Sequence, residues 1–186
     1  MTRFIVSDTP IAGVKVVERT LISDHRGGLS RLFCAEELAA AGWDKPVMQI
    51  NHAHTKSSGA IRGMHFQHAP HAEMKLVSCV RGRIWDVAVD LRAGSATFMQ
   101  WFAQELSASN RLAMLIPQGV AHGFQALEGD CEILYLHSSC YQPDAEDGIN
   151  PFDPALAINW PVEMTDISEK DHSRAFVDQS FTGITP

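Results

Sequence analysis

The stretch Arg83-Ile84-Trp85-Asp86-Val87-Ala88-Val89-Asp90-Leu91 decides the fold class. Trp85, Val87, Val89 and Leu91 alternate with Ile84, Asp86, Ala88 and Asp90, a period of two that sets an apolar face against a more polar one and predicts a β-strand. Outward from it, strand-like runs recur at Val14–Arg19, Gly59–Gln67, Lys75–Arg81, Thr97–Leu106, Leu112–Ile116, Gly123–Leu127 and Glu132–Ser138. Turn signals separate them: Ser23 to Gly28, Val80-Arg81-Gly82, Ala93-Gly94-Ser95, Pro117-Gln118-Gly119 and Glu128-Gly129-Asp130. Short strands spaced this regularly predict a sandwich or barrel. Helices are few: Ala35–Ala41, closed by Gly42, and a short one around Ser168–His172, after a Pro- and Asp-rich stretch that starts at Pro151. The expected architecture is all-β, one domain over residues 1–186, with short helical additions near both ends.

Composition narrows the function. Hydrophobic residues make up 45% of 186 residues, enough for a core without staples, and the net charge of −7 has no clustered Lys and Arg to bind nucleic acid. A few local arginines can still hold a phosphate on an acidic protein. Cys34, Cys79, Cys131 and Cys140 show no C-x-x-C spacing and are expected to be reduced thiols. The first ten residues lack a basic start followed by an apolar run, and no apolar stretch approaches membrane-spanning length, so a cytoplasmic protein with no membrane partner is expected.

Several ionisable residues lie within strand-like runs: Arg62, His65, Lys75, Asp86, His122 and Tyr135. Such groups are costly to bury unless paired or used, which makes them candidates for a site. Each taken singly also has a plain structural reading, as a satisfied core His, a strand-bonding Asp or a core aromatic. Strict alternation sends Arg62 and His65 to opposite faces. For both to line one cavity the strand must be irregular, and Gly63 between them makes a bulge plausible.

At these residues the chain resembles the dTDP-4-dehydrorhamnose 3,5-epimerase family. Ile61-Arg62-Gly63-Met64-His65-Phe66-Gln67 is similar to its Leu-Arg-Gly-Leu-His-Tyr/Phe-Gln signature, Lys75-Leu76-Val77-Ser78-Cys79 to its Lys-Leu-Val-Arg-Cys strand, and Trp85 to Arg92 to its Phe-Asp-Val-Ala-Val-Asp-Ile-Arg strand. Ile116 to Phe124 resembles its Ile-Pro-Glu-Gly-Phe-Ala-His-Gly-Phe run, and Ile158-Asn159-Trp160-Pro161 and Ser168-Glu169-Lys170-Asp171 its Trp-Pro and Ser-x-Lys-Asp elements. The matches run in order from about Ile11 to Asp171. The resemblance implies a cupin-type jelly roll, a homodimer, and an isomerase that inverts C3, C5 or both of a 4-keto-6-deoxyhexose nucleotide without cofactor or metal. By the same resemblance His65 is the base, Asp171 its dyad partner, Tyr135 the acid, and Lys75 and Arg62 the electropositive groups. Arg26, Gln49, Asn51, His122 and Tyr141 fall on substrate-binding positions. Abstraction alpha to a carbonyl needs a base, an acid on the opposite face and positive charge beside the enolate oxygen. An imidazole of ordinary pKa, about 6.5, can serve as that base.

The chain departs from the family pattern at Arg31 (an acid in the family), Ile50 (Asp), Leu115 (often Trp), Leu136 (Lys) and Met74 (Gly). These changes are expected to alter the binding shell, Leu115 by removing a broad surface near the ligand. Two rivals stand beside the epimerase. One is a sugar-nucleotide 3,4-ketoisomerase, which would use related proton transfers, or a non-catalytic sugar-binding cupin, disfavoured because His65, Asp171, Tyr135 and Lys75 are all present together. A metal-dependent cupin would draw on His52, His54, His65, His68, His71, His122 and Glu73. For that second rival His65 and His68 have the wrong spacing for one strand face, and Lys75 would set a cation beside Glu73.

Overall fold

In the computed structural model, which describes residues 2–186, the chain runs β1 (Phe4–Asp8), β2 (Lys15–Arg19), β3 (Leu21–Asp24), β4 (Gly27–Ser30), α1 (Ala35–Ala39), β5 (Gln49–Thr55), β6 (Ala60–Gln67), β7 (Lys75–Arg81), β8 (Arg83–Asp90), β9 (Trp101–Ser107), β10 (Leu112–Ile116), β11 (Val120–Ala126), β12 (Cys131–His137), β13 (Glu146–Gly148), β14 (Asp166–Ile167) and α2 (Glu169–His172). One sheet has the order β1-β2-β10-β7-β12-β5 and the other β13-β6-β11-β8-β9, with β14 parallel to β6. The two pack face to face as a jelly-roll sandwich, and β3–β4 forms a separate hairpin.

Three apolar layers hold the sandwich. Between the sheets lie Val77 and Cys79 of β7, Ile84 and Ala88 of β8, Met114 and Ile116 of β10, Phe124 and Ala126 of β11, and Ile133 of β12. The outer face of the first sheet packs Leu76, Ala113, Leu115 and Leu136 against Leu38 of α1 and Trp43. The outer face of the second packs Met64, Phe66, Val87, Val89 and Leu91 beneath Ile149, Leu156 and Ile184 of the C-terminal segment. Both faces of the central strands are therefore covered, and the alternation in β8 has a different meaning from the one its sequence suggests. The face bearing Asp86 and Asp90 points between the sheets, and the apolar face points out under the C-terminal segment. Each buried carboxylate finds partners there, Asp86 in His122 at 2.7 Å and Asp90 in Arg92, Ser95 and Thr97.

Asp90 also explains why β9 starts at Trp101 and not at Thr97. Its Oδ2 accepts hydrogen bonds of 2.6 Å from the hydroxyls of both Ser95 and Thr97, which folds residues 92–99 into a turn ending at Met99 with φ +62°. β11 begins earlier than its sequence suggests, at Val120, so His122 lies within a strand.

The irregularity expected at Gly63 is present. His65 pairs with His122 and Arg62 with Phe124, three steps on β6 against two on β11. The extra residue returns Arg62 and His65 to the same side. Gly63 has φ +121°, and a Cβ there would sit 2.5 Å from Gly123 Cα. Only glycine fits that close approach.

Candidate active site

One half of the space between the sheets is filled by the central core, and the other half opens as a cavity of about 700 Å³. Strand parity decides what lines it. Lys75 enters from β7, Tyr135 and His137 from β12, His122 from β11, Arg62 and His65 from β6, and Gln49 and Asn51 from the edge strand β5. The C-terminal segment closes the rim with Tyr141, Glu146, Lys170 and Asp171.

His65 Nε2 lies 2.6 Å from Asp171 Oδ1, and Asp171 Oδ2 accepts the Gly63 N–H at 3.2 Å. Ser168 caps α2 by accepting the Asp171 N–H at 3.1 Å, which sets the carboxylate at the helix start. Burial alone would raise the Asp171 carboxyl. Hydrogen bonds from His65, its charge and the Gly63 N–H outweigh that and hold it below the usual range. Lys75 is buried; its Nζ donates to the His65 carbonyl at 3.0 Å and pairs with Glu73 at 2.9 Å. An ammonium has three donors, so one remains for the cavity.

Tyr135 faces His65 from the opposing sheet. Burial, reinforced by Asp86, pushes its phenol pKa up and keeps it protonated. The Tyr135 ring meets His122 edge-on at 5.8 Å and stacks on His137 at 6.1 Å. Behind His122, Asp86 is fully buried with Oδ2 unpartnered; desolvation raises its pKa against the pull of His122 and Lys75. At the rim Glu146 accepts from Tyr141 at 2.7 Å and from Lys170 at 2.6 Å. Desolvation would raise Glu146, but these bonds keep its carboxyl lowered. Arg62 is held by Thr55 Oγ1 at 3.1 Å and the His54 carbonyl at 3.3 Å.

Of the ten site residues expected from sequence, the cavity gathers His65, Asp171, Tyr135, Lys75, Arg62, Gln49, Asn51, His122 and Tyr141. Arg26 is the exception. It sits on the exposed β3–β4 hairpin, 2.6 Å from Asp24, away from the cavity of its own chain. The expected alteration of the binding shell is also corrected in part. Leu115, Leu136 and Met74 lie in the outer core beside Trp43, on the far face of the sheet, because their strand neighbours take the inward positions. Leu115 thus removes no surface from the cavity. Ile50 is 62% exposed on the outside of β5, and Arg31 pairs with Glu37 outside the cavity.

Sequence reasoning missed Glu73, His137, Glu146 and Lys170 as members of the cavity wall. His137 was legible two residues beyond Tyr135 on the same strand face. Glu146 was not, because it stands in an acidic segment that reads as solvated. As metal donors the histidines are engaged elsewhere, His65 by Asp171 and His122 by Asp86, and among the described residues no group of three or more His, Cys, Asp or Glu could hold an ion.

The family model for dTDP-4-dehydrorhamnose 3,5-epimerase matches residues 8–179. The dTDP-4-dehydrorhamnose 3,5-epimerase of Sinorhizobium fredii is 39% identical over 165 residues, covering 88% of this chain and 85% of that protein. A dTDP-4-dehydro-6-deoxyglucose 3-epimerase of Streptomyces bikiniensis is 38% identical, covering 88% and 84%. The crystal structure of the 3,5-epimerase of Legionella pneumophila in complex with dTDP-4-keto-L-rhamnose superimposes with a TM-score of 0.91 at 33% identity, over 98% of this chain and 99% of that one. A jelly roll whose cavity joins His65, Asp171, Lys75 and Tyr135, matched along nearly its whole length, belongs to the dTDP-4-dehydrorhamnose 3,5-epimerase family.

Proposed function

We propose that the protein epimerises a 4-keto-6-deoxyhexose nucleotide by proton removal and return through an enolate. The observation that carries this reading is the projection of His65 and Tyr135 from opposing sheets into one cavity, which the Lys75 ammonium also lines from beside the His65 carbonyl. His65 Nε2–H donates to Asp171, which leaves Nδ1 to take the proton alpha to the carbonyl. Asp171 fixes that tautomer and stabilises the imidazolium. The free donor of Lys75 meets the developing oxyanion, and Tyr135 returns a proton from the other face. Arg62, Lys56 and Lys170 line the same cavity and supply cations for a diphosphate.

The substrate reading rests on the relatives, which act on dTDP sugars and include both 3,5-epimerases and 3-epimerases. Incubation in D₂O with 4-keto-6-deoxyhexose nucleotides carrying dTDP, UDP, GDP or CDP tests the proposal. Deuterium entering C3, C5 or both of the dTDP sugar is the expected result. No uptake into any of the four would overturn it, and uptake with migration of the keto group would identify a ketoisomerase.

A homodimer is proposed with it. The hairpin exposes Leu21, Ile22 and Leu29, and β5 is an unpaired edge beside exposed Met48 and Ile50. A second copy whose hairpin covered that edge would carry its Arg26 to the mouth of the cavity. Light scattering at micromolar concentration should give twice the chain mass. The four unpaired thiols fit a reducing compartment such as the cytoplasm.

A further inference from the structure

Tyr135 depends for its place on contacts that belong to neither the base nor the oxyanion cation. Its inner side packs on the core between the sheets, and His122 meets it edge-on, held by buried Asp86. A second ring beside it, that of His137, also lines the cavity and stacks on the phenol at 6.1 Å with 29° between planes. His137 sits two residues on from Tyr135 in β12 and pairs across to Lys75 of β7 and Gln49 of β5.

We infer that His137 is a positioning residue for the proton donor, an aromatic wall that holds the Tyr135 ring at the orientation from which its hydroxyl can reach the substrate. The inference rests on the functional reading above for the role of Tyr135, but the contact itself does not. His137 is anchored on its far side by Asn51, whose amide lies 3.4 Å from Nε2. That leaves the ring no need of a charge to stay in place. Burial, the nearby Lys75 ammonium and His122 push its pKa down to about 4 against the opposing pull of Glu73, so the imidazole is neutral under ordinary conditions. A neutral ring can stack on a phenol without adding a second cation beside Lys75. An aliphatic side chain fills the space without a flat ring and would leave the phenol no stacking partner at this position.

The test compares His137→Phe, which keeps a flat ring, with His137→Ala and with His137→Leu, which fills space without one. In D₂O, the rate of deuterium entry reports abstraction by His65, and the rate of inversion reports proton return by Tyr135. For His137→Ala and His137→Leu, inversion at saturating substrate should fall at least about tenfold while deuterium entry stays within about threefold. His137→Phe should restore inversion to within about threefold of wild type. The second readout needs no substrate. The chain has only two tyrosines, so ring-labelled tyrosine gives two sets of NMR signals, assigned with Tyr141→Phe. The Tyr135 signals should shift or broaden in His137→Ala and return in His137→Phe. Unmoved Tyr135 signals in His137→Ala would overturn the inference. So would His137→Leu matching His137→Phe in both readouts, or parallel loss of inversion and deuterium entry in all three variants. Should the wild type act on no 4-keto sugar nucleotide, the functional reading falls, and the ring signals still decide the role of His137.

Discussion

His65 has one hydrogen-bond partner through its ring, and that fixes what each substitution should do. His65→Ala removes the base and should cut deuterium entry about 10²- to 10⁴-fold at every exchanging carbon; exchange at the wild-type rate would take His65 out of the mechanism. Asp171→Asn keeps the shape but offers an amide where the tautomer needs a carboxylate, and a drop of about 10²-fold or more is expected. Tyr135→Phe should lose inversion more than deuterium entry, since abstraction comes from the other sheet. Equal losses of both would show that the phenol does not act in proton return. Arg62, His65, Lys75, His122 and Tyr135 were legible as ionisable residues within strand-like runs, with the Gly63 bulge needed to bring Arg62 and His65 to one side, whereas Asp171, Gln49, Asn51 and Tyr141 came through the resemblance. Arg26 was legible as a binding residue only through the resemblance, and nothing in its own chain brings its hairpin to the cavity. Glu73 was read only as a possible metal donor beside the Lys75 cation; the structure uses that closeness as an ion pair, with Gln67 as a second partner.

At the level of strands and turns, the bulge in β6 is the device on which the site depends. Gly63→Ala would force a side chain against the β11 backbone from a left-handed conformation, and a loss of about 1–3 kcal/mol is expected, measured by denaturant unfolding. Activity should fall with it as Arg62 and His65 lose their common face. Leu136 separates packing from recognition. It lies 6% exposed in the outer core, so Leu136→Ala should cost about 2–4 kcal/mol in stability and leave the preference among nucleotides unchanged. A changed preference would mean that the outer core reaches the cavity. Period two located β7 and β10 residue for residue, because each is bounded by its own turn signal. It overextended β9, where the decisive group was the Asp90 carboxylate, which holds Thr97 seven residues on in a turn that ends at Met99. β13 and β14 were invisible, being two or three residues long and polar.

For the whole molecule, acid stability has two separable windows. His137 titrates from 6.5 unfolded to about 4 folded, so between those values the unfolded chain binds a proton that the native one refuses. Stability should therefore decline as pH falls through that window and be untouched by this group above it. Asp171, Glu146 and Asp147 are depressed in the folded state, so what they contribute is present above the ordinary carboxylate values and is lost only at lower pH. Urea midpoints between pH 7 and pH 4.5 should thus fall in the wild type and fall less in His137→Phe; identical slopes would refute burial of a neutral imidazole.

The segment after β12 seals the outer face of the second sheet and also brings Asp171 to His65. Synthesis proceeds from the other end, so a ribosome completes both sheets before it delivers the carboxylate that bonds to His65. A nascent chain halted short of Ser168 would own an imidazole, a phenol and an ammonium in a half-roofed sandwich, without the carboxylate that the proposed mechanism gives to His65. On that mechanism competence arrives late in translation, shortly before Ile184 completes the clasp over the finished sheet.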